Sequence, residues 1–366
     1  MLGPRQVGKS TLCNALNPDL LINLADESLY TQYLRDPSLL GRRLAAEPEK
    51  RCIMIDEVQR IPSLLNTVQA ILDQDNGYKF ILTGSSARKL KRGKANLLPG
   101  RVFIEHLPPL VFWELGDQFN LEKALTTGCL PEIYLQPYGP ELLESYVTGY
   151  LREEIQAEAL TKDLGAYARF LDLAAGFSGQ YLNYSKLASD SEINKETIRR
   201  YIDILVDTLL VERVPSFTRV DKNRRARQKD KFIFFDLGVR NSICGRRAGT
   251  FSREEMGTLF EQWLILQVIY YNKMHHKGWH ITTYKDANSL EVDLIIEQDS
   301  SLYAIEIKSA TRVHERMFKS LARFEGFAKR PVHKILVYQG DVRQKFEAGL
   351  ALPYGDFLTE LGNLPV

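Results

Sequence analysis

The sequence predicts a multidomain α/β protein, and three observations carry that prediction. A chain of 366 residues exceeds what one ordinary hydrophobic core supports, so two or three domains are expected. Short apolar runs alternate with helical patterns over residues 1 to about 110, the signature of a parallel sheet with crossover helices, and a second α/β pattern begins at 231. Between them, from about 110 to 175, strand patterns give way to Leu, Ala, Tyr and Glu at helical spacing.

The elements follow in order. Leu20–Leu24, Cys52–Ile55 and Lys79–Leu82 read as strands, and Arg101–His106 as a fourth. Ile61–Asp73 reads as a helix, with a turn at Asp75-Asn76-Gly77. Tyr146, Val147, Tyr150, Leu151 and Ile155 recur at helical spacing. Residues 181 to 215 predict a short helix, a turn, a second helix and the strand-like Leu209–Val214, after which comes a basic loop.

Composition narrows the class. With 44% hydrophobic and 26% charged residues the chain reads as globular, not disordered. A formal net charge of +2 excludes a polycation, so any nucleic-acid affinity must come from local patches. Cys13, Cys52, Cys129 and Cys244 are scattered without a CxxC pair, which fits a reducing cytosol and argues against a disulfide framework or structural zinc. No stretch approaches the ~18 apolar residues of a membrane span. The most apolar one, Phe260–Tyr271, contains Glu261, Gln262 and Gln267 and predicts a buried helix. No signal peptide precedes the first motif, so the cytoplasm is the expected compartment and no membrane partner is expected.

That first motif is Gly3-Pro4-Arg5-Gln6-Val7-Gly8-Lys9-Ser10-Thr11, a full match to GxxxxGK[ST]. The glycines let backbone N–H groups curl inward at a β-phosphate. Lys9 reaches the β- and γ-phosphates, and the Ser10 hydroxyl takes a Mg²⁺ position. The helix starting at Gly8 adds its positive end. Gly3, Gln6, Val7, Gly8, Lys9, Ser10 and Thr11 are therefore the expected ATP-binding residues. Ile53-Met54-Ile55-Asp56-Glu57 is an apolar strand ending in two carboxylates, where a Walker B strand belongs. Asp56 would hold Mg²⁺ through water, and Glu57 would polarise the attacking water. Phe80–Ser86 is another apolar run ending in hydroxyls, with Ser85 the candidate sensor of the γ-phosphate; an ordinary turn capped by Ser86 fits equally well.

GPRQVGKST, IDEVQ, LTGSS, Gly100-Arg101 before Leu107-Pro108-Pro109, and Gly128-Cys129-Leu130-Pro131-Glu132 together resemble the bacterial and archaeal predicted AAA-type ATPases. The resemblance runs over nearly the whole chain. It implies a P-loop core, a helical lid, a winged helix and a C-terminal region resembling restriction endonucleases. In that family a full strand leads into the phosphate loop, whereas here Met1 and Leu2 alone precede it. An unrecorded upstream start and a shortened chain with an impaired site are both consistent with that departure. Arg101 and Arg88 are candidates for the trans-acting arginine of such ATPases, and equally for solvated surface residues.

Tyr184–Ser189 and Ile193–Ile202 read as helix, turn, helix. Ile198, Ile202 and Leu205 share one face of the second helix and leave Lys195, Arg199 and Arg200 on others, the division a recognition helix needs. The basic stretch Arg219, Lys222, Arg224, Arg225, Arg227, Lys229 and Lys231 follows, with Asp221 and Asp230 against it. Lys195, Arg199, Arg200, Arg224, Arg225 and Arg227 are the candidate contacts to double-stranded DNA. A packing module that binds a protein partner, with a solvated basic loop, is the alternative.

Farther on, Leu290–Ile296 carries Asp293, and Leu302–Lys308 ends in Glu306-Ile307-Lys308. Residues two apart on a strand share a face, so Glu306 and Lys308 project together, and Asp293 on a neighbouring strand completes the set. Asp293 and Glu306 would bind Mg²⁺ while Lys308 orients water. Helix, three strands, helix (Arg316–Phe327) and strand (Val332–Val337) resemble the PD-(D/E)xK nuclease core. Asp293, Glu306 and Lys308 match its motif, Glu261 is a looser match, and Val292 stands where the motif has proline. A retained fold with a salt-bridge cluster is the alternative.

The expected division is a P-loop core over 1–116, a helical lid over 117–175, a winged-helix-like part over 176–228 and a nuclease-like domain over 229–366. Three functions stay open: an ATP-driven switch associated with DNA or a partner protein, a Mg²⁺-dependent nuclease gated by ATP, and a non-catalytic interaction protein.

Overall fold

The computed structural model describes residues 1–74, 77–85, 101–151, 164–218, 229–246, 250–286, 290–298 and 301–364. Arg88, Gly100, Arg224, Arg225 and Arg227 lie outside them. The protein is a mixed α/β multidomain chain that divides into two compact units. One holds Met1–Pro109 with Asp203–Leu210; the other holds Leu110–Ile202 with Val211–Val366.

The first unit is a three-stranded parallel sheet with helical connections. Its elements are α1 (Lys9–Asn14), β1 (Leu20–Asn23), α2 (Glu27–Arg35), α3 (Leu39–Ala46), β2 (Cys52–Asp56), α4 (Leu64–Leu72) and β3 (Lys79–Leu82). β2 is central, pairing with β1 in register Leu20 to Ile53 and with β3 in register Ile53 to Phe80. That position explains its apolar run: Ile53, Met54 and Ile55 are each 0% exposed, since a central strand is covered on both faces. The expected helix Ile61–Asp73 is shorter, because Val58–Arg60 form a 3₁₀ turn and Pro62 precedes α4.

The expected fourth strand, Arg101–His106, is not formed. It contributes one bridge, His106 to Leu2, while Leu2 also bridges Gly84. Leu2 N–H donates to Glu105 O (2.8 Å) and Leu107 N–H to Leu2 O (2.8 Å), and on the other side Gly84 N–H donates to Met1 O (3.1 Å). The two residues before the phosphate loop thus bond on both sides. Val102, Phe103 and Ile104 stay exposed at 42%, 90% and 51%.

The second unit opens with helices: α5 (Phe112–Leu115), α6 (Leu121–Thr126), α7 (Pro131–Leu135), α8 (Gly139–Ser145) continuing into a π-helical turn (Tyr146–Leu151), and α9 (Leu164–Gly176). α10 (Tyr184–Ser191) and α11 (Lys195–Asp207, counted with this unit as far as Ile202) then form the expected helix–turn–helix, Asn183 capping α10 by accepting from Lys186 N–H (3.2 Å). β4 (Val211–Val214) pairs antiparallel with β5 (Lys231–Phe234), so the 228/229 boundary expected from the sequence falls between two paired strands.

The remainder comprises α12 (Leu237–Ile243), α13 (Arg253–Met274), β6 (His280–Lys285), β7 (Glu291–Gln298), β8 (Ser301–Lys308), α14 (Lys319–Ala328), β9 (His333–Tyr338), β10 (Gln344–Phe346), β11 (Gly349–Pro353) and α15 (Tyr354–Thr359). Six strands form one mixed sheet in the order β10-β11-β9-β8-β7-β6. α13 holds the predicted apolar helix; it is buried from Leu259 to Tyr270 except at Glu261. One core joins α13 to Tyr303, Ile305 and Ile307, and it also takes in Val111, Leu125 and Tyr134, so the early helices of this unit share that core. On the other face Leu302, Ala304 and Leu336 pack against Phe318, Leu321 and Phe324. No described helix is long and apolar enough to cross a membrane.

Candidate functional site

The phosphate loop is shaped by residues that tolerate unusual backbone. Gln6 and Gly8 both take left-handed conformations (φ 61° and 92°), which curls the chain ahead of α1. At Gly3 a Cβ would come within 2.4 Å of the Leu107 carbonyl oxygen, so glycine alone lets the loop run against that segment. Lys9 is 5% exposed, and its Nζ donates to Gly3 O (2.8 Å) and Pro4 O (2.7 Å), which holds the ammonium beneath its own loop. Val7 is buried; Gln6 and Thr11 are exposed. α1 has six residues, roughly 9 Å of helix, so its end acts through its first amide groups and not through a long dipole.

The carboxylates at the end of β2 sit in a hydroxyl network. Ser10 Oγ donates to Asp56 Oδ2 (2.7 Å), and Thr83 Oγ1 donates to Asp56 Oδ1. Thr83 Oγ1 in turn accepts from Glu57 N–H (3.2 Å). Glu57 holds φ 58°, a left-handed conformation uncommon outside glycine that costs of order 1–3 kcal/mol and recurs at functional sites. Gln59 Nε2 donates to Glu57 and to Ser85 Oγ (3.0 Å), and Ser85 Oγ makes a long contact of 3.5 Å to Glu57. Ser10, Asp56, Glu57 and Ser85 therefore lie in one hydrogen-bonded network. Spacing alone does not single out Thr83 and Gln59, although both stand inside the LTGSS and IDEVQ motifs. A hydroxyl beside a carboxylate is an all-oxygen donor pair of the kind Mg²⁺ takes, so Ser10 and Asp56 fit that ion. Arg101 pairs with Asp73 (2.7 Å), both about half exposed.

A second cluster lies in the C-terminal sheet. Asp293 Oδ2 accepts from Ile307 N–H (2.8 Å). Glu306 accepts from Lys308 Nζ (2.5 Å) and from Ser320 Oγ (2.7 Å) on α14. Lys231, the first residue of β5, is 1% exposed; its Nζ donates to Glu261 (2.7 Å) and lies 3.6 Å from Glu291. The sequence places it in the basic stretch open to a phosphate backbone or to solvent, and the structure corrects this: the ammonium is buried among carboxylates. The available signal was its place at the head of the apolar run Phe232–Phe235, the same logic that marked Lys308. Burial, then Glu261 and Glu306, push the Asp293 carboxyl well above its usual range, against the opposing pull of Lys231 and Lys308. Burial lowers the Lys308 pKa, but Glu306 and Asp293 outweigh it and the net direction is up. Among the described residues no three His, Cys, Asp or Glu side chains converge as a metal site would require. Asp293 thus meets a backbone amide, and Glu306 a hydroxyl and an ammonium.

On α11 Lys195, Arg199 and Arg200 are exposed, as a nucleic-acid surface needs, and Ile198 and Ile202 are each 0% exposed. Arg199 pairs with Glu196 (2.9 Å) and lies over the Tyr184 ring.

Comparison with known proteins agrees with the first unit. Residues 1–116 match the family model described as an AAA domain. Residues 118–250 and 256–357 match two models described as domains of unknown function (DUF8612 and DUF4143). Relatives include "Uncharacterized protein Rv2008c" of Mycobacterium tuberculosis and "Uncharacterized protein Mb2031c" of Mycobacterium bovis, each 26% identical over 321 residues, spanning 84% of this chain and 69% of the relative. "Uncharacterized protein MJ1544" of Methanocaldococcus jannaschii is 21% identical over 225 residues, 54% of this chain and 51% of its own. Among solved structures, protein VC1899 from Vibrio cholerae aligns over 92% of this chain and 79% of its own at 13% identity, with a TM-score of 0.23.

Proposed function

We propose, from the premise of an AAA-type, P-loop ATPase-like domain over residues 1–116, that this protein binds Mg²⁺-ATP, hydrolyses it and uses the cycle as a switch. The observation that carries the reading is the Ser10–Asp56–Thr83–Glu57 hydrogen-bond chain, which joins the phosphate loop to the end of β2. Lys9 and the loop amides would grip the β- and γ-phosphates, and Ser10 with Asp56 would hold Mg²⁺, whose charge would offset that developing on the phosphoryl oxygens. Glu57 orients and polarises the attacking water, Gln59 fixes its carboxylate, and Ser85 senses the γ-phosphate. ATP turnover by the full chain tests this. Loss of turnover on Lys9→Ala and on Glu57→Gln supports it, and turnover that survives both substitutions overturns it.

The helix–turn–helix with the β4–β5 ribbon reads as a winged helix whose exposed face meets double-stranded DNA through Lys195, Arg199 and Arg200. A second reading, a nuclease gated by ATP, draws on the grouping of Asp293, Glu306 and Lys308; the buried Lys231 ammonium weighs against metal at that place. Plasmid nicking that requires Mg²⁺, is abolished by Lys308→Ala and loses its dependence on ATP with Lys9→Ala supports this second reading.

A further inference from the structure

Between α10, the start of α11 and the β4–β5 ribbon lies a cavity of about 270 Å³, lined by Tyr184, Lys195, Arg199, Arg213, Lys229 and Asp230 among others. We propose that it seats a single phosphate group of a DNA backbone. The proposal rests on the DNA reading above and adds the pocket, the ligand group and two cations, Arg213 and Lys229, that the helix alone does not supply.

Four cations face one carboxylate across this cavity. Asp230 accepts from Arg213 Nε (2.7 Å), and Arg199 is paired outward with Glu196 (2.9 Å). Those pairs fix both guanidinium planes while leaving further N–H donors on each. Lys195 and Lys229 are exposed, and among the described residues neither ammonium has a carboxylate partner. An excess of positive charge held by three separate elements calls for an anion. The volume lies below the 300–1,000 Å³ of ordinary small-molecule pockets, which suits an oxyanion better than a whole nucleotide. Arg200, next to Arg199 on the same helix, is exposed and does not line the cavity, so it is available to an adjoining phosphate of a strand, which a free anion lacks.

The pocket makes a prediction that scattered surface cations do not. Each neutralised phosphate contributes about 0.9 to the slope of log affinity against log salt. Lys195 and Lys229 share one phosphate, so Lys195→Ala, Lys229→Ala and the double variant each lower the slope by about 0.9, not by twice that in the double. Between 50 and 200 mM salt each variant then loses roughly 3.5-fold less affinity than the parent. Asp230→Asn removes the opposing carboxylate and tightens binding.

The experiment is fluorescence anisotropy of a labelled duplex titrated with full-length protein at several salt concentrations, with ATP turnover measured on each preparation. Equal slope changes in all three variants, with turnover intact, support the pocket. A double variant that loses twice the slope of either single, or no slope change, overturns it. If the parent hydrolyses ATP but binds no duplex, the pocket falls and the ATPase reading stands. If inorganic phosphate raises the unfolding temperature of the parent but not of the double variant, and no duplex binds, a free anion is the ligand and the DNA assignment is overturned.

Discussion

Replacing Lys231 by methionine isolates the role of the buried ammonium, because the volume is nearly kept while the charge is removed. The lysine side chain is 2% exposed and bonded to Glu261 at 2.7 Å, with Glu291 at 3.6 Å. Removing one partner from a buried ion pair costs about 3–5 kcal/mol. Glu261 and Glu291 are 26% and 32% exposed, so water recovers part of the loss and the lower end, about 3 kcal/mol, is expected. For a unit of this size that is a fall in Tm of roughly 6–12 °C. All three tryptophans, Trp113, Trp263 and Trp279, lie in the second unit, so their emission follows its unfolding. The pH dependence gives the sign. Asp293 has a raised folded pKa, so its favourable contribution is present at low pH, below the ordinary aspartate value, and is lost as pH rises through the folded pKa. Without Lys231 that folded pKa rises further, so the deficit of Lys231→Met grows as pH rises through the parent's folded pKa and shrinks toward acid. A variant as stable as the parent at pH 7, or a deficit independent of pH, refutes the reasoning.

Three further outcomes follow from named contacts. Thr83→Val removes the hydroxyl that bonds Asp56 and Glu57, and steady-state kinetics should show kcat reduced about tenfold or more with KM changed little, the pattern of lost positioning. Gly3→Ala drives a Cβ against the Leu107 carbonyl oxygen, and hydrogen exchange should report the phosphate loop less protected, for about 1–3 kcal/mol of strain. Asp236 is fully buried, and burial lifts its carboxyl to about 6 against the backbone N–H groups of Cys129, Val239 and Gly238. Its raised folded pKa favours folding at acid pH and is lost as pH climbs from about 4 through 6, about 3 kcal/mol in all. The difference in denaturation free energy between the parent and Asp236→Asn should therefore change over that window and be flat above it.

The parts of this fold that local pattern governs were legible. The strands at 20–23, 52–56 and 79–82 carry unbroken apolar runs, and the phosphate loop sits where its spacing requires. Arg101–His106 has the same apolar look but forms one bridge, His106 to Leu2, instead of a ladder, because pairing is a property of two segments and not of one. β10 and β11 were not foreseen, since three to five residues with little alternation give no period to read. Lys231 shows the same limit in the site. A lysine after a run of basic residues reads as solvated until β5 pairs with β4 and turns its side chain toward α13. Thr83 was hidden differently: Ser85 and Thr83 share a face of the same extended segment, and only the register with β2 decides which hydroxyl meets Asp56.

The most direct test is equilibrium binding of ATP, with Mg²⁺ present, to the intact chain and to its Lys9→Ala variant. Saturable binding by the parent, weakened about tenfold or more when the ammonium is removed, is the outcome the geometry predicts. Folded protein that takes up neither adenine nor guanine triphosphate contradicts the account at its root.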